Sequence, residues 1–238
     1  MFVNRREAGV QLAQMVDRYL TDYLGLAVKS NVMVVGLPRG GVPVALEVAR
    51  RLGCSLEVVV AKKLPYPGQP ELAIGAVSSD GVVVLSPDIP NDSQWRAYVE
   101  EQRRSLLQKL MAVEQQFYNL AERTRAEFKG RVVILVDDGI ATGMTAMAAA
   151  ETVKLRGAAS TIIATPVMSR DSYQQLRSHC DHVLAISVPD EFNAVGQHYI
   201  NFEQTSNDEV VLALRESVTF ARPAYQLSQE SAINSVSN

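Results

Sequence analysis

Five short runs of valine, isoleucine and leucine constrain the fold of this chain more than any other feature. They are NVMVVG at 31–36, LEVVVA at 56–61, RVVILV at 131–136, and the segments 160–167 and 183–188. A strand that is apolar at nearly every position has to be covered on both faces, which is the situation of parallel strands in an α/β sheet. Between the runs lies helical spacing. Residues 6–25 bring Leu12, Met15, Val16, Tyr19, Leu20, Tyr23 and Leu24 round at steps of three and four, and the pattern returns up to about Leu52, at 144–157 and at 170–179. Apolar strands alternating with helices predict one α/β domain, a mainly parallel sheet flanked by helices. Lys62 to Leu72 reads as a Pro/Gly-rich loop, and 72–78 with 81–85 as a hairpin about Ser79-Asp80-Gly81.

Composition narrows the function classes. With 238 residues, 47% of them hydrophobic and 21% charged, the chain is neither disordered throughout nor fibrous. No apolar run approaches the roughly 20 residues that cross a bilayer, so no membrane partner is expected. The start, MFVNRREAGVQLAQMV, has no unbroken apolar stretch or small-residue cleavage site, and only Cys54 and Cys180 are present. A reducing, cytoplasmic setting is the expectation. A net charge of −3 argues against nucleic acid as a partner. An anionic substrate must then be held by a few placed cations and backbone amides.

A long polar segment at about 92–128 interrupts the α/β pattern. Val99, Leu106, Leu110, Val113, Phe117 and Leu120 follow a four-three spacing over roughly three heptads. Such a helix packs either on its own domain or on a second subunit, and a homo-oligomer is one expectation. The expected organisation is a single domain over 1–220, with a core at about 28–188 and the helix as an insertion, then a polar tail at 221–238.

Ligands of parallel α/β sheets sit outside the carboxyl ends of the strands, where loops run into helix N-termini. Two such loops stand out. In VVILVDDGIATGMT, a buried strand ends in Asp137-Asp138, and Gly139 to Ala141 lead to Thr142-Gly143-Met144-Thr145 at a helix start. Exposed amides and the helix dipole there favour an anion, and the two Thr hydroxyls add donors. The paired carboxylates suit neighbouring hydroxyls or a hard divalent cation. No Lys follows Gly143, which excludes a P-loop. The second loop, GLPRGGVP at 36–43, offers Gly40, Gly41 and the guanidinium of Arg39, a set suited to a diphosphate.

The first loop resembles the phosphoribosyl-diphosphate (PRPP) fingerprint of type I phosphoribosyltransferases: apolar strand, two acids, two mostly apolar positions, then Ala-Thr-Gly-x-Thr. The resemblance extends over about residues 6–203. It implies a type I phosphoribosyltransferase-like fold with a small hood at about 189–203. Asp137 and Asp138 would hold the ribose hydroxyls and Mg²⁺, directly or indirectly. Ala141, Thr142, Gly143, Met144 and Thr145 would hold the 5′-phosphate. The 36–43 loop is similar to the family's pyrophosphate loop, so Arg39, Gly40 and Gly41, with Lys62 and Lys63, would hold the diphosphate, and a cis peptide is expected near Pro38-Arg39. The Pro/Gly-rich stretch after Lys63 would be a lid that brings Glu71 to the reacting centre. For the hood two segments compete, the N-terminal helix and PDEFNAVGQHYINF at 189–202. In the second, Phe192, with Tyr199 as the alternative, would stack on the base or else form a local core.

The implied activity is PRPP- and Mg²⁺-dependent transfer of 5-phosphoribosyl to a nitrogenous acceptor, as in nucleotide salvage, with release of diphosphate. Asp137, Asp138, Lys62 and Glu71 would be its catalytic residues. One departure bears on the acceptor: 6-oxopurine enzymes carry an Asp where this chain has Ala141. Overall the pattern is similar to bacterial predicted phosphoribosyltransferases. The rival class is a non-catalytic PRPP- or nucleotide-binding regulator.

Overall fold

The computed structural model describes residues 1–26 and 31–221, the side chains of Pro70 and Glu71 excepted. The elements in chain order are α1 (Arg5–Asp22), β1 (Val32–Gly36), α2 (Gly41–Leu52), β2 (Leu56–Val58), β3 (Ala61–Tyr66), β4 (Gln69–Ser78) and β5 (Val83–Leu85). There follow α3 (Ser93–Leu120), β6 (Val132–Val136), α4 (Met144–Leu155), β7 (Ser160–Val167), α5 (Arg170–Leu176), β8 (His182–Ser187) and α6 (Asn207–Phe220). Five strands form one parallel sheet in the order β2-β1-β6-β7-β8. The other three form an antiparallel sheet, β3-β4-β5.

The unbroken apolar runs are explained by two cores, one on each face of the parallel sheet. Val32, Val34, Ile134, Val136 and Ile162 pack with Leu12, Val16 and Leu20 of α1, Val44 and Val48 of α2, and Val210 and Leu214 of α6. The alternate residues Met33, Val35, Val133, Leu135 and Ile163 pack with Ala146, Met147, Ala150 and Val153 of α4 and Leu176 of α5. Side chains at every position of β1 and β2, and at all but the first of β6 and β7, are therefore out of water, because successive residues point to opposite faces and both are covered, while the edge strand β8 is half-buried throughout.

Register decides where the loops come out. Gly36 stands opposite Val136 across β1 and β6, and Val58 stands opposite Gly36 across β2 and β1. The loops after these strands therefore leave the carboxyl edge side by side.

Three segments differ from the sequence expectation. Lys62 to Leu72 is not a loop: β3 and β4 form a hairpin that turns at Pro67-Gly68, with Tyr66 opposite Gln69 and Gly68 at φ 73°. Pro followed by Gly at positive φ is the demand of a tight turn, and Pro65 is tolerated because register shifts flank it. Within α3, Leu110 and Phe117 are buried and Val99 and Leu106 half-buried, whereas Val113 and Leu120 are 37% and 46% exposed. The helix packs on its own domain with four of these six seam residues. The third, α6, extends the chain beyond the hood with a helix the sequence expectation lacks, although Ser206 and Glu209 form a capping box, each side chain accepting from the other's backbone amide. Ser206→Ala is expected to lower stability by about 1 kcal/mol in urea unfolding. The polar tail expected at 221–238 lies, from 222 on, outside the described residues.

Candidate active site

The loops after β1 and β6 are packed directly on each other, and this is what the Gly-Gly pair serves. A Cβ on Gly40 would sit 2.1 Å from Asp138 Oδ2, and one on Gly41 would sit 2.6 Å from the Val136 carbonyl oxygen. Only glycine allows that approach. Between Pro38 and Arg39 the peptide is cis, at the position where the sequence places it. Arg39 is half-buried, and among the described residues its guanidinium has no hydrogen bond or ion pair.

Both loops run into helices that begin without a cap. Asn4, Asp92, Ser169 and Ser206 each accept a backbone N–H at the starts of α1, α3, α5 and α6. α2 begins on Gly40 and α4 on Gly143, the latter at φ 71°, and neither has a side-chain cap. The first N–H groups of a helix have no partner within it and carry the positive end of its dipole. At α2 two of them are taken by the preceding loop, Gly41 N donating to Leu37 O at 3.0 Å and Val42 N to Arg39 O at 3.2 Å, so that end contributes its dipole, whereas the start of α4 contributes amides as well. Thr142 is exposed and Thr145 half-buried beside the second. The loop's own shape is fixed from β7 and α5: Ile140 N donates to Val167 O at 2.9 Å, and the hydroxyls of Ser169 and Ser172 both donate to the Ala141 carbonyl, at 2.7 and 2.8 Å.

Asp137 and Asp138 open the loop that ends at the α4 start, and they lie against Gly41 and Gly40 at the start of α2. Desolvation is the main influence on the Asp137 carboxyl, and the neighbouring Asp138 charge adds to it; together they hold its pKa well above the ordinary carboxylate range. The Asp138 amide, donating to Asp137 Oδ1 at 2.9 Å, pulls the other way. Asp138 is 9% exposed and accepts from Arg5 Nε at 2.7 Å. Arg5 is not among the residues the sequence points to, since nothing local links it to a residue 133 positions away.

The residues just ahead of α1 and the 189–202 segment lie against each other. Phe2 and Val3 pair with 198–201: Phe2 N donates to His198 O, Ile200 N to Phe2 O and Asn201 N to Val3 O, at 2.8–2.9 Å. Val195 rests on Gly139, where a Cβ would fall 2.2 Å from Val195 Cγ1. Phe192 is half-buried, its ring stacked 5.3 Å from that of His198. Tyr199 lies below the site: it is buried, its hydroxyl donates to the Asp138 carbonyl at 2.5 Å, and its ring is packed against Phe2 and Phe202. At 5% exposure it has no surface for a base, and its hydroxyl ties it to the acid loop.

Lys62 and Lys63 are both exposed, a few residues past the carboxyl end of β2 and hence beside the Arg39 loop. As neighbours on a strand they point to opposite faces, so one at most can turn toward the acids. The Glu71 side chain, on the hairpin strand β4, lies outside the described side chains. Among the described residues no three His, Cys, Asp or Glu side chains converge as a metal cage. Asp138 beside two helix starts would suit a magnesium ion that keeps most of its waters.

A family model described as phosphoribosyl transferase domain matches residues 7–203. The chain belongs to the phosphoribosyl transferase family. Over 215 residues it is 42% identical to "Putative phosphoribosyl transferase Rv0571c" of Mycobacterium tuberculosis, covering 90% of this chain and 46% of that protein. The chain thus spans about half the length of the curated relatives it matches. Among solved structures, TT1426 from Thermus thermophilus is 38% identical with a TM-score of 0.75, covering 93% of this chain and 100% of that one. The parallel sheet with helices on both faces is thus the architecture of this phosphoribosyl transferase family member. No helix among the described residues is long and apolar enough to cross a membrane.

Proposed function

We propose that the chain transfers 5-phosphoribosyl from PRPP to a nitrogenous acceptor, releasing diphosphate. The observation that carries this reading is the acid pair Asp137-Asp138, which opens the loop to the uncapped α4 start at Gly143 and lies against the uncapped α2 start at Gly40 and Gly41. PRPP carries a monophosphate and a diphosphate at opposite ends of a sugar with vicinal hydroxyls. The α4 start, with Ala141 to Thr145, suits the 5′-phosphate, and the α2 start with Arg39 and one of Lys62 and Lys63 suits the diphosphate. Asp137 and Asp138 suit the ribose hydroxyls. Phe192 is the proposed stacking partner of the acceptor.

The acceptor nitrogen attacks the anomeric carbon from the face opposite the diphosphate. The carbon–oxygen bond breaks, its electron pair leaves with the diphosphate, and the configuration inverts. Positive charge grows on the ribose ring, where the Asp138 carboxylate is placed to oppose it, and negative charge grows on the leaving oxygen, opposite Arg39 and the positive end of the α2 dipole. A bound magnesium ion would neutralise part of the diphosphate charge. Ala141 offers no carboxylate to the acceptor, and its carbonyl is already used by Ser169 and Ser172. That favours an acceptor other than a 6-oxopurine.

Thermal unfolding with ribose 5-phosphate, PRPP and Mg²⁺, followed by diphosphate release across a panel of bases and amines, tests the reading. PRPP at 100 times its Kd should add about 2.7 kcal/mol of stability. No shift with either sugar phosphate would overturn the site. A shift without turnover on every acceptor would leave a PRPP-binding regulator.

A further inference from the structure

Among the described residues, one charged side chain from outside the two glycine loops reaches a carboxylate of the acidic pair. Arg5, in the first turn of α1, donates from Nε to Asp138 Oδ2 at 2.7 Å and from Nη1 to the Glu203 carbonyl. Its guanidinium carbon lies 3.9 Å from the centre of the Phe202 ring. Both members of the ion pair are nearly enclosed, with side-chain exposures of 13% and 12%. The N-terminal helix, the acid loop and the end of the hood thus converge on one planar cation. Such a fork, held by several partners at once, is rigid, and a charge-assisted hydrogen bond out of water is both strong and directional.

The Asp138 carboxylate has little slack between these neighbours. Oδ2 is taken by Arg5 on one side and lies against Gly40 on the other, so close that a Cβ there would overlap it at 2.1 Å. Oδ1 has no hydrogen-bond partner among the described residues. It is the oxygen left to accept from a ligand.

Resting on the PRPP reading, we propose that Arg5 is a positioning residue: it sets the orientation of Asp138 toward the ribose and ties that orientation to the seated hood. Arg5 acts through Asp138, while Phe202 and Glu203 hold Arg5. Without the guanidinium, Asp138 faces Asp137 with no cation beside it and is free to turn away from the ribose. A plain staple of the N-terminus would instead affect stability alone.

The experiment is a double-mutant cycle of Arg5→Ala, Asp138→Asn and the two combined, reading ribose 5-phosphate affinity by calorimetry and diphosphate release by steady-state kinetics. Arg5→Ala is expected to weaken ribose 5-phosphate binding by about tenfold, and the double variant to bind no more weakly than Asp138→Asn alone. Arg5→Lys keeps the charge but lacks the fork, so it should recover only part of the affinity. Unchanged or tighter binding in Arg5→Ala, or losses that simply multiply in the double variant, would overturn the proposal. Should Arg5→Ala fail to fold, the same cycle with Arg5→Lys decides by the same criterion. A wild-type protein that binds neither ribose 5-phosphate nor PRPP removes the site reading itself and this role with it. Wild-type binding with a multiplicative cycle removes the role of Arg5 alone.

Discussion

Asp138→Asn should lower kcat/KM for PRPP-dependent diphosphate release by about 10²–10³-fold, the loss typical of one fixed electrostatic group at a reacting centre. The substitution keeps the side chain's shape and removes its charge. Asp138 is almost out of water, fixed between Arg5 and Gly40, so its charge acts across little solvent and needs no rearrangement as the ribose becomes cationic. Asparagine also leaves the Arg5 cation without its counter-charge close to that developing positive charge, which adds to the loss. Because the charge matters most in the transition state, kcat should fall by more than ribose 5-phosphate affinity does. Steady-state kinetics beside calorimetry separates the two. A kcat equal to that of the parent would show that the acid takes no part in the reaction.

Arg123→Ala should be the most destabilising single change, by about 3–5 kcal/mol in urea unfolding at pH 8, because it strands a buried carboxylate. Glu57, on β2, has no exposed surface; it accepts from Arg123 Nη2 at 2.6 Å and from the Tyr118 hydroxyl at 2.7 Å. Arg123 also donates to the carbonyls of Leu56 and Leu214 and to the Ser217 hydroxyl, joining β2 to α6. Burial is the main influence on Glu57 and raises its pKa above 4.5, with Arg123 the chief opposing influence. A carboxyl whose pKa is raised in the folded state binds a proton that the unfolded chain gives up, so its contribution is fully present below 4.5 and is lost as pH rises through the folded value. Removing Arg123 lifts that value further. The difference between parent and variant should therefore be smaller at pH 5 than at pH 8. Replacing Glu57 and Arg123 together by leucine should recover most of the loss, since the stranded charge is gone. A deficit independent of pH would mean that Arg123 acts through its carbonyl contacts instead.

Much of the fold can be read in the chain because its signals are local. Strands β1, β6, β7 and β8 coincide with apolar runs, and α2 and α4 start where the glycine-containing loops end. The 62–72 hairpin is not legible in the same way, because its prolines mark a loop in isolation; only pairing across β3 and β4, with register shifts to accommodate Pro65, makes it a sheet. The start of α6 carries a local signal in its capping box, whereas the tie between Phe2 and 198–201 has no local signature at all.

The site divides in the same way. Residue types and their order alone fixed the two loops, the acid pair and Arg39, because glycine's steric freedom and the donors at helix starts are properties of short segments. Tertiary structure decided which groups share one space: that Gly40 touches Asp138, that Arg5 meets it from the other end of the domain, that Tyr199 lies beneath and not inside, and that Lys62 and Lys63 face apart. Contacts between distant segments depend on strand register and helix packing, which emerge only when the whole core is assembled.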